Sequence, residues 1–192
     1  MITVGTTVSG TFVYTVGDLS NTISVINISG TNGPVLATTL SGAQYNLNGP
    51  NGLAVVATAS GNFLYCANYG NNSVTVINAN TNTYVMTISG NGLWYPGYIT
   101  ASGTTLYVLS RNQNPLSTGY YSIAVINANT NTVTTVISGQ NLGQPVASAL
   151  TPDGSKLYLG NQVTNSVTVF NTATNSGTAI PNFVTLASQT RY

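Results

Sequence analysis

One short phrase occurs four times in this chain, and it constrains the fold more than any other feature. The phrase is a run of β-branched residues that ends in Asn, and it occupies residues 21–27, 72–78, 121–127 and 165–171. Successive copies lie about 44 to 51 residues apart, and periods of roughly 40 to 50 residues are typical of propeller blades. The second and third copies continue into an identical turn sequence, Asn-Ala-Asn-Thr-Asn-Thr. The chain is therefore built from four similar units.

Each unit contains four short segments rich in Val, Ile, Thr and Tyr, which are residue types that favour strands. The predicted strands span residues 2–8, 11–16, 22–27 and 35–40 in the first unit, 52–58, 62–67, 73–78 and 84–88 in the second, 97–101, 105–109, 122–127 and 133–137 in the third, and 146–150, 156–159, 166–171 and 183–186 in the fourth. Apolar and polar residues alternate in 73–78, as in a strand with one buried face. No segment repeats its apolar residues every 3.6 positions over several turns, so we expect almost no helix.

These units predict an all-β fold, a β-propeller of four four-stranded antiparallel blades. We expect a single repeat domain over residues 1–192, with blades at about 1–42, 43–90, 91–139 and 140–192. Three alternatives stay open at this point. The chain could be half of an eight-bladed ring closed by two copies, part of a larger propeller, or one large β-sandwich.

Charged side chains are rare, and their scarcity excludes several kinds of site. They make up 3% of the chain, with no His, and the set is Asp18, Arg111, Asp153, Lys156 and Arg191. A Ser–His–Asp triad needs His, and a zinc site needs more than one Cys when His is absent. Three cations cannot neutralise the phosphates of a nucleic acid. We therefore predict no catalytic residues, no metal site and no cofactor.

The net charge of +1 changes little with pH because so few groups titrate. We therefore expect little acid unfolding, which suits an exterior or acidic setting. Asp153 lies in a Pro-Asp-Gly turn and Asp18 follows a Gly, so a turn role is predicted for both. Cys66, the single cysteine, is predicted to be a buried small apolar residue.

Aromatic residues in the longer loops are the best candidates for contact with a ligand. Tyrosine and tryptophan stack and donate hydrogen bonds at low entropic cost. The candidates outside the repeat register are Tyr69, Trp94, Tyr95, Tyr98, Tyr120 and Tyr121. Two Asn-x-Ser sequons, at Asn71 and Asn27, are candidate N-glycosylation sites, and Asn71 is the better one because it lies in a predicted loop.

Two segments carry a family resemblance, namely 64–70 (LYCANYG) and 151–158 (TPDGSKLY). Together with the repeated Asn-x-Val-x-Val-Ile-Asn phrase, they resemble the YVTN-type β-propeller repeats found in archaeal and bacterial surface-layer proteins. The resemblance implies a propeller fold and a surface role, and the family motif has no catalytic residues to transfer. The chain departs from the family in having four units rather than about seven, and in having Asn at positions 27, 78, 127 and 171, where the motif has Asp.

The combined expectation is a non-enzymatic, extracellular structural protein, a subunit of a surface layer, filament or virion of an archaeal extremophile. Its partners would be other copies of itself or other surface proteins, with no nucleic acid and no direct membrane insertion. The alternative is an adhesion or recognition module at the cell or virion surface that binds glycans or a host through its aromatic loops. An enzyme is the third class, disfavoured here because the sequence offers few acids and bases.

Overall fold

The computed structural model describes residues 1–111, 121–139 and 141–181, which form sixteen strands in four antiparallel sheets. The first sheet contains β1 (Ile2–Thr7), β2 (Gly10–Gly17), β3 (Thr22–Asn27) and β4 (Val35–Leu40). The second contains β5 (Pro50–Thr58), β6 (Gly61–Asn68), β7 (Ser73–Asn78) and β8 (Thr83–Ser89). The third contains β9 (Pro96–Ser102), β10 (Thr105–Arg111), β11 (Tyr121–Asn127) and β12 (Thr132–Ser138). The fourth contains β13 (Pro145–Leu150), β14 (Lys156–Asn161), β15 (Ser166–Asn171) and β16 (Ser176–Pro181).

The prediction of an all-β chain with four four-stranded units is confirmed. The described residues contain one 3-10 turn, Ala43–Tyr45, and no helix long and apolar enough to cross a membrane. One strand was predicted in the wrong place. The last strand of the fourth sheet is β16, because the turn after Asn171 leads directly into it. The predicted strand at 183–186 lies outside the described residues. Tyr120 lies outside them as well.

The recurring asparagines form the turns between the third and fourth strands of the sheets. The Asn78 Oδ1 accepts a hydrogen bond from the backbone N–H of Asn80 at 2.9 Å, and Asn82, four residues after Asn78, adopts the left-handed conformation with φ of 58°. The same arrangement recurs after Asn127 and after Asn171. Asparagine suits both positions because its side chain bonds nearby backbone and it tolerates positive φ.

Consecutive sheets pack face to face through three apolar clusters. One cluster joins the first and second sheets around Tyr14 and Leu64, the next joins the second and third around Tyr65 and Val108, and the last joins the third and fourth sheets. The first strands of neighbouring sheets lie side by side. At Gly52 the backbones come so close that a Cβ there would lie 2.9 Å from a backbone oxygen of β9. This arrangement is a propeller arc with β1, β5, β9 and β13 on the inside.

The arc is open within the described residues, since no packing comparable to that between neighbours joins β1 to β13. Repeat positions that are buried between sheets are therefore exposed at its two ends. Ile2 is 64% exposed, whereas Leu53 at the equivalent position of the second sheet is 3% exposed. Tyr158 is 41% exposed in the fourth sheet, and its equivalent Tyr65 is fully buried. Each end of the arc thus presents an apolar sheet face of the kind that is covered elsewhere.

Candidate functional site

The topology gathers the loops that follow the second and fourth strands on one side of the arc. Each sheet runs from its inner to its outer strand, so the loops between second and third strands lie on the same side as the links between sheets. We call this side the top face. It contains a cavity of about 260 Å³. The lining residues are Asp18, Asn51, Tyr69, Tyr95, Gly97, Tyr98, Leu109, Ser110, Arg111 and Pro145.

Two side chains of opposite charge, Asp18 and Arg111, line this cavity. Asp18 lies in the loop after β2, and its backbone carbonyl accepts a hydrogen bond from Asn21 N–H at 3.4 Å, as expected for a turn. Its carboxylate, however, lies against the link before β5, with Oδ1 3.4 Å from the place a Cβ on Gly49 would occupy. Arg111 is the last residue of β10 and is half-buried. The turn role predicted for Asp18 therefore describes its backbone, and its side chain belongs to the cavity.

The other two charged side chains in the described residues, Asp153 and Lys156, lie in and directly after the turn between β13 and β14, on the opposite side of the arc. The Asp153 carboxylate accepts hydrogen bonds from the hydroxyls of Thr151 and Ser155 and from the Ser155 N–H. These hydrogen bonds lower the pKa of the Asp153 carboxyl to about 2, and the bond from Thr151 has the largest effect. Asp153 thus has the turn role that the sequence predicted, and Lys156 begins β14.

Three of the predicted ligand-facing aromatics line the cavity. The rings of Tyr69 and Tyr95 lie 4.9 Å apart with a tilt of 54°. Tyr95 has a positive φ of 47°, and its backbone N–H donates to the Asn72 side-chain oxygen at 2.8 Å. Tyr98 lies in β9 and also packs against the cluster between the third and fourth sheets. These tyrosines are thereby held by the fold.

The remaining candidates lie elsewhere. Trp94 is 51% exposed next to Tyr95 but does not line the cavity. Tyr121 pairs with Arg111 across β10 and β11, and Tyr120 lies outside the described residues. Whether any of these aromatics binds a ligand stays a prediction.

The two sequon asparagines are partly buried and hydrogen-bonded. Asn71 donates from its amide to Asn46 at 3.3 Å and accepts from the Ser73 hydroxyl at 2.7 Å. Asn27 accepts from the Ser29 N–H at 2.8 Å. Their glycosylation stays a prediction.

Burial raises the pKa of the Cys66 thiol, and the residue is buried as predicted.

Sequence reasoning missed two members of the site, Arg111 and Ser110. Arg111 was counted among the charges without being given a place, and Ser110 was not singled out. The signal for Ser110 is its repeat position, because Asn68 and Asn161 occupy the same place at the ends of β6 and β14. No group of three or more His, Cys, Asp or Glu side chains comes together in the part of the chain that the structure describes.

A family model described as a lactonase, seven-bladed β-propeller, matches residues 6–96. That match runs from the end of β1 to the start of β9 and so covers most of the first two sheets. No curated protein matches the chain.

Solved structures with the same fold cover almost the whole chain. Hydrazine synthase of Kuenenia stuttgartiensis matches with a TM-score of 0.71 at 18% identity, covering 93% of this chain and 49% of that one. A candidate 6-phosphogluconolactonase of Bacteroides uniformis matches with a TM-score of 0.66 at 17% identity, covering 94% and 55%. Another from Bacteroides fragilis matches with a TM-score of 0.60 at 20% identity, covering 93% and 52%.

The chain has a β-propeller fold. It spans about half the length of the solved structures it matches, in keeping with part of a larger propeller. The matches support a propeller but not the YVTN surface-layer family. The prediction that the chain is not an enzyme is contradicted, because the matched family model is that of lactonases and two of the structural relatives are candidate lactonases. The expected surface-layer role has no support among these relatives.

Proposed function

We propose that this propeller is a lactonase-type hydrolase, and that the top-face cavity binds the lactone. The observation that carries the proposal is that Asp18 and Arg111 both line one tyrosine-lined cavity. In a chain with 3% charged residues, two of the four charged side chains in the described residues lie there. The lactonase family model gives the class of reaction.

The residues suit the hydrolysis of a cyclic ester. A water oxygen adds to the ester carbonyl while the Asp18 carboxylate takes its proton as general base. The Arg111 guanidinium stabilises the negative charge that develops on the carbonyl oxygen. The ring carbon–oxygen bond then breaks, and the ring oxygen receives the proton, which yields the open hydroxy acid. No external reductant, oxidant or metal enters this balance.

The tyrosines supply binding rather than chemistry in this proposal. The flat faces of Tyr69 and Tyr95 fit a small oxygen-bearing ring, because aromatic rings stack on such rings while their hydroxyls donate hydrogen bonds. A volume of about 260 Å³ accommodates a single sugar-sized ring. The size argues against oligosaccharides and large acyl chains as substrates.

The test is lactone hydrolysis by the purified chain, followed by acid release at constant pH against a panel of lactones. The wild-type protein should open at least one hydroxylated lactone faster than buffer does. Asp18→Asn and Arg111→Gln should each lower kcat/KM by about 10²-fold or more, in line with loss of a general base or an oxyanion donor. Asp153→Asn is the matched control, since that carboxylate lies in a turn on the opposite side of the arc.

The open arc is completed by a second copy of the chain in this proposal. The exposed face carrying Ile2 and Val4 corresponds to the face of the second sheet that packs on the first. The face carrying Tyr158 corresponds to the face of the second sheet that packs on the third. These two exposed faces are therefore complementary in the same way as the faces of neighbouring sheets inside the arc. Two arcs would form an eight-bladed ring with the cavity facing its axis.

An extracellular location is part of the proposal. It is supported by the near-absence of titrating groups and by the sequons at Asn27 and Asn71. Intact mass spectrometry of material from the native source tests it. A glycan mass that disappears in an Asn71→Gln variant supports the location, and an unmodified mass speaks against it.

A further inference from the structure

The connection between β3 and β4 in the first sheet differs from its equivalents. It spans residues 28–34, whereas the other three sheets have shorter turns, at 79–82, 128–131 and 172–175. The longer loop contains the dipeptide Asn32-Gly33, while the shorter turns end in an Asn that precedes Thr or Ser. An Asn that precedes Gly is open to attack by the next backbone nitrogen, because glycine has no side chain to obstruct the approach.

Asn32 and Gly33 are both exposed, and they line a shallow cavity of about 320 Å³ that water can enter. Apart from the adjacent residues of the chain, no described atom lies within 4 Å of the place that a Cβ on Gly33 would occupy. In the part of the chain that the structure describes, neither the Asn32 side chain nor the Gly33 N–H forms a hydrogen bond. The fold therefore leaves both the amide and the nitrogen next to it unrestrained.

The chain contains three other Asn-Gly pairs, and the fold restrains each of them. The Gly49 N–H donates to the Asn21 side-chain oxygen at 2.8 Å, so the nitrogen that would attack Asn48 is already bonded. Gly52, which follows Asn51, is buried in β5, where a Cβ would lie 2.9 Å from a backbone oxygen of β9. Attack at either pair first requires this part of the fold to open.

The remaining pair, Asn91-Gly92, is held through its glycine. Asn91 is exposed, but the Gly92 carbonyl accepts a hydrogen bond from the Ser122 hydroxyl at 3.2 Å. A Cβ on Gly92 would lie 2.6 Å from a methyl group of Val136. The backbone at Gly92 is thus fixed against the third sheet. Local opening has a free-energy cost, and reactions that depend on it are slowed accordingly.

We propose that Asn32 is a modification site, where the chain converts this asparagine spontaneously to aspartate and isoaspartate. The Gly33 nitrogen bonds to Asn32 Cγ and the Cγ–Nδ2 bond breaks. The amide leaves as ammonia, with the proton of the Gly33 N–H, and a succinimide ring remains. Water then adds to one of the two ring carbonyls. Ring opening at Cγ yields aspartate, and opening at the backbone carbonyl yields isoaspartate.

Either product adds a carboxylate to a chain that has very few charges. The formal net charge falls from +1 to 0, which favours association between copies. The loop between β3 and β4 lies on the side of the arc opposite the top face. The inference therefore stands apart from the proposed hydrolase activity.

Peptide mapping by mass spectrometry follows all four Asn-Gly pairs in one sample of the purified chain. A chymotryptic digest is suitable because Lys and Arg are scarce. In the folded chain Asn32 should react at least tenfold faster than Asn48, Asn51 and Asn91, because one hydrogen bond that must first break slows a reaction about fivefold to tenfold. In urea the four pairs should react at similar rates. Equal rates in the folded chain, or no reaction at Asn32, would overturn the proposal.

Two variants test the chemistry and the protection separately. Asn32→Gln should abolish the acidic form that ion exchange resolves in aged material, and an acidic form that persists in this variant would overturn the assignment. Asn21→Ala removes the acceptor of the Gly49 N–H, so it should speed reaction at Asn48 about fivefold and leave the rate at Asn32 unchanged. An unchanged rate at Asn48 would contradict the argument that hydrogen bonding of the attacking nitrogen decides which pair reacts.

Discussion

The tyrosine hydroxyls buried between sheets allow a test of how the arc is held together. Tyr65 and Tyr14 occupy the same repeat position, and both are fully buried. The Tyr65 hydroxyl crosses to the third sheet, where its one hydrogen is shared between Asn131 Oδ1 at 2.7 Å and the Ala128 carbonyl oxygen at 3.2 Å. The Tyr14 hydroxyl has no partner in the described residues. The same substitution at the two sites therefore isolates the hydrogen bond from the ring packing.

Tyr65→Phe should lower the free energy of unfolding by about 1 to 2 kcal/mol, because it removes the donor that the Asn131 side-chain oxygen and the Ala128 carbonyl oxygen share. For a chain of this size that corresponds to about 3 to 6 °C in melting temperature. Tyr14→Phe removes a hydroxyl that is already buried without a partner, so its effect should stay within about 0.5 kcal/mol of zero, or be stabilising.

Urea and thermal unfolding followed by circular dichroism measure both differences under identical conditions. An equal loss of unfolding free energy in Tyr65→Phe and Tyr14→Phe would contradict this prediction. It would mean that Tyr14 is paired in solution with Asn82, whose Oδ1 is also buried without a partner and which stands where Asn131 stands in the next sheet. A larger loss for Tyr14→Phe would refute the reasoning altogether.

Three further predictions concern pH, the thiol and assembly. The melting temperature should be nearly constant between about pH 4 and pH 10. Hydrogen bonds lower the pKa of Asp153 to about 2, so its contribution to folding stability is present above its unfolded pKa and is lost as pH falls toward 2. Burial raises the pKa of Tyr65 to about 12, so its contribution to folding stability is present below about pH 10 and is lost as pH rises toward 12. A steep fall near pH 5 in a thermal scan would contradict this. Cys66 should react with a thiol reagent at least 100-fold more slowly in the folded chain than in urea, because burial raises the pKa of the thiol, which keeps the thiolate fraction small, and also keeps the reagent out. Equal rates would show that the second sheet opens readily. Ultracentrifugation should give the mass of two chains, reduced to one by Ile2→Asp but not by the exposed control Leu19→Asp, and a monomeric wild-type chain would refute closure by a second copy.

The repeat made most of the strands predictable, because the Asn-rich turns and β-branched runs recur at fixed spacing. The same regularity placed the last strand wrongly. The stretch after Asn171 has the looser sequence Thr-Ala-Thr-Asn-Ser and then few large apolar residues, so the later run at 183–186 looked more like a strand. Turn geometry, rather than apolar content, determines where β16 begins.

A local irregularity shows where sequence patterns reach their limit. A bulge interrupts the pairing of third and fourth strands between Val25 and Ile26, and again at the equivalent Val76–Ile77 and Val125–Ile126 positions. The fourth sheet pairs regularly through Val169 and Phe170. The regular pair has Phe170 where the three bulged pairs have Ile, and a single-residue difference of this kind does not by itself predict a bulge.

The cavity could be predicted only in part. Tyr69, Tyr95 and Tyr98 were candidates because they lie outside the repeat register, but Asp18 and Arg111 are far apart in the sequence and each has an ordinary local explanation. Only the ring topology brings them to one face. Ser110 required comparison of its position with Asn68 and Asn161 together with its burial, and burial is not visible in the sequence.

The central claim is that the top-face cavity hydrolyses lactones through Asp18 and Arg111. The most direct measurement is the rate of ring opening of glucono-δ-lactone by the purified chain, compared with Asp18→Asn and with the control Asp153→Asn. The account predicts turnover above the buffer rate for the wild-type and control proteins and the buffer rate for Asp18→Asn. Turnover that survives in Asp18→Asn, or a wild-type rate equal to that of buffer across the whole lactone panel, would contradict it.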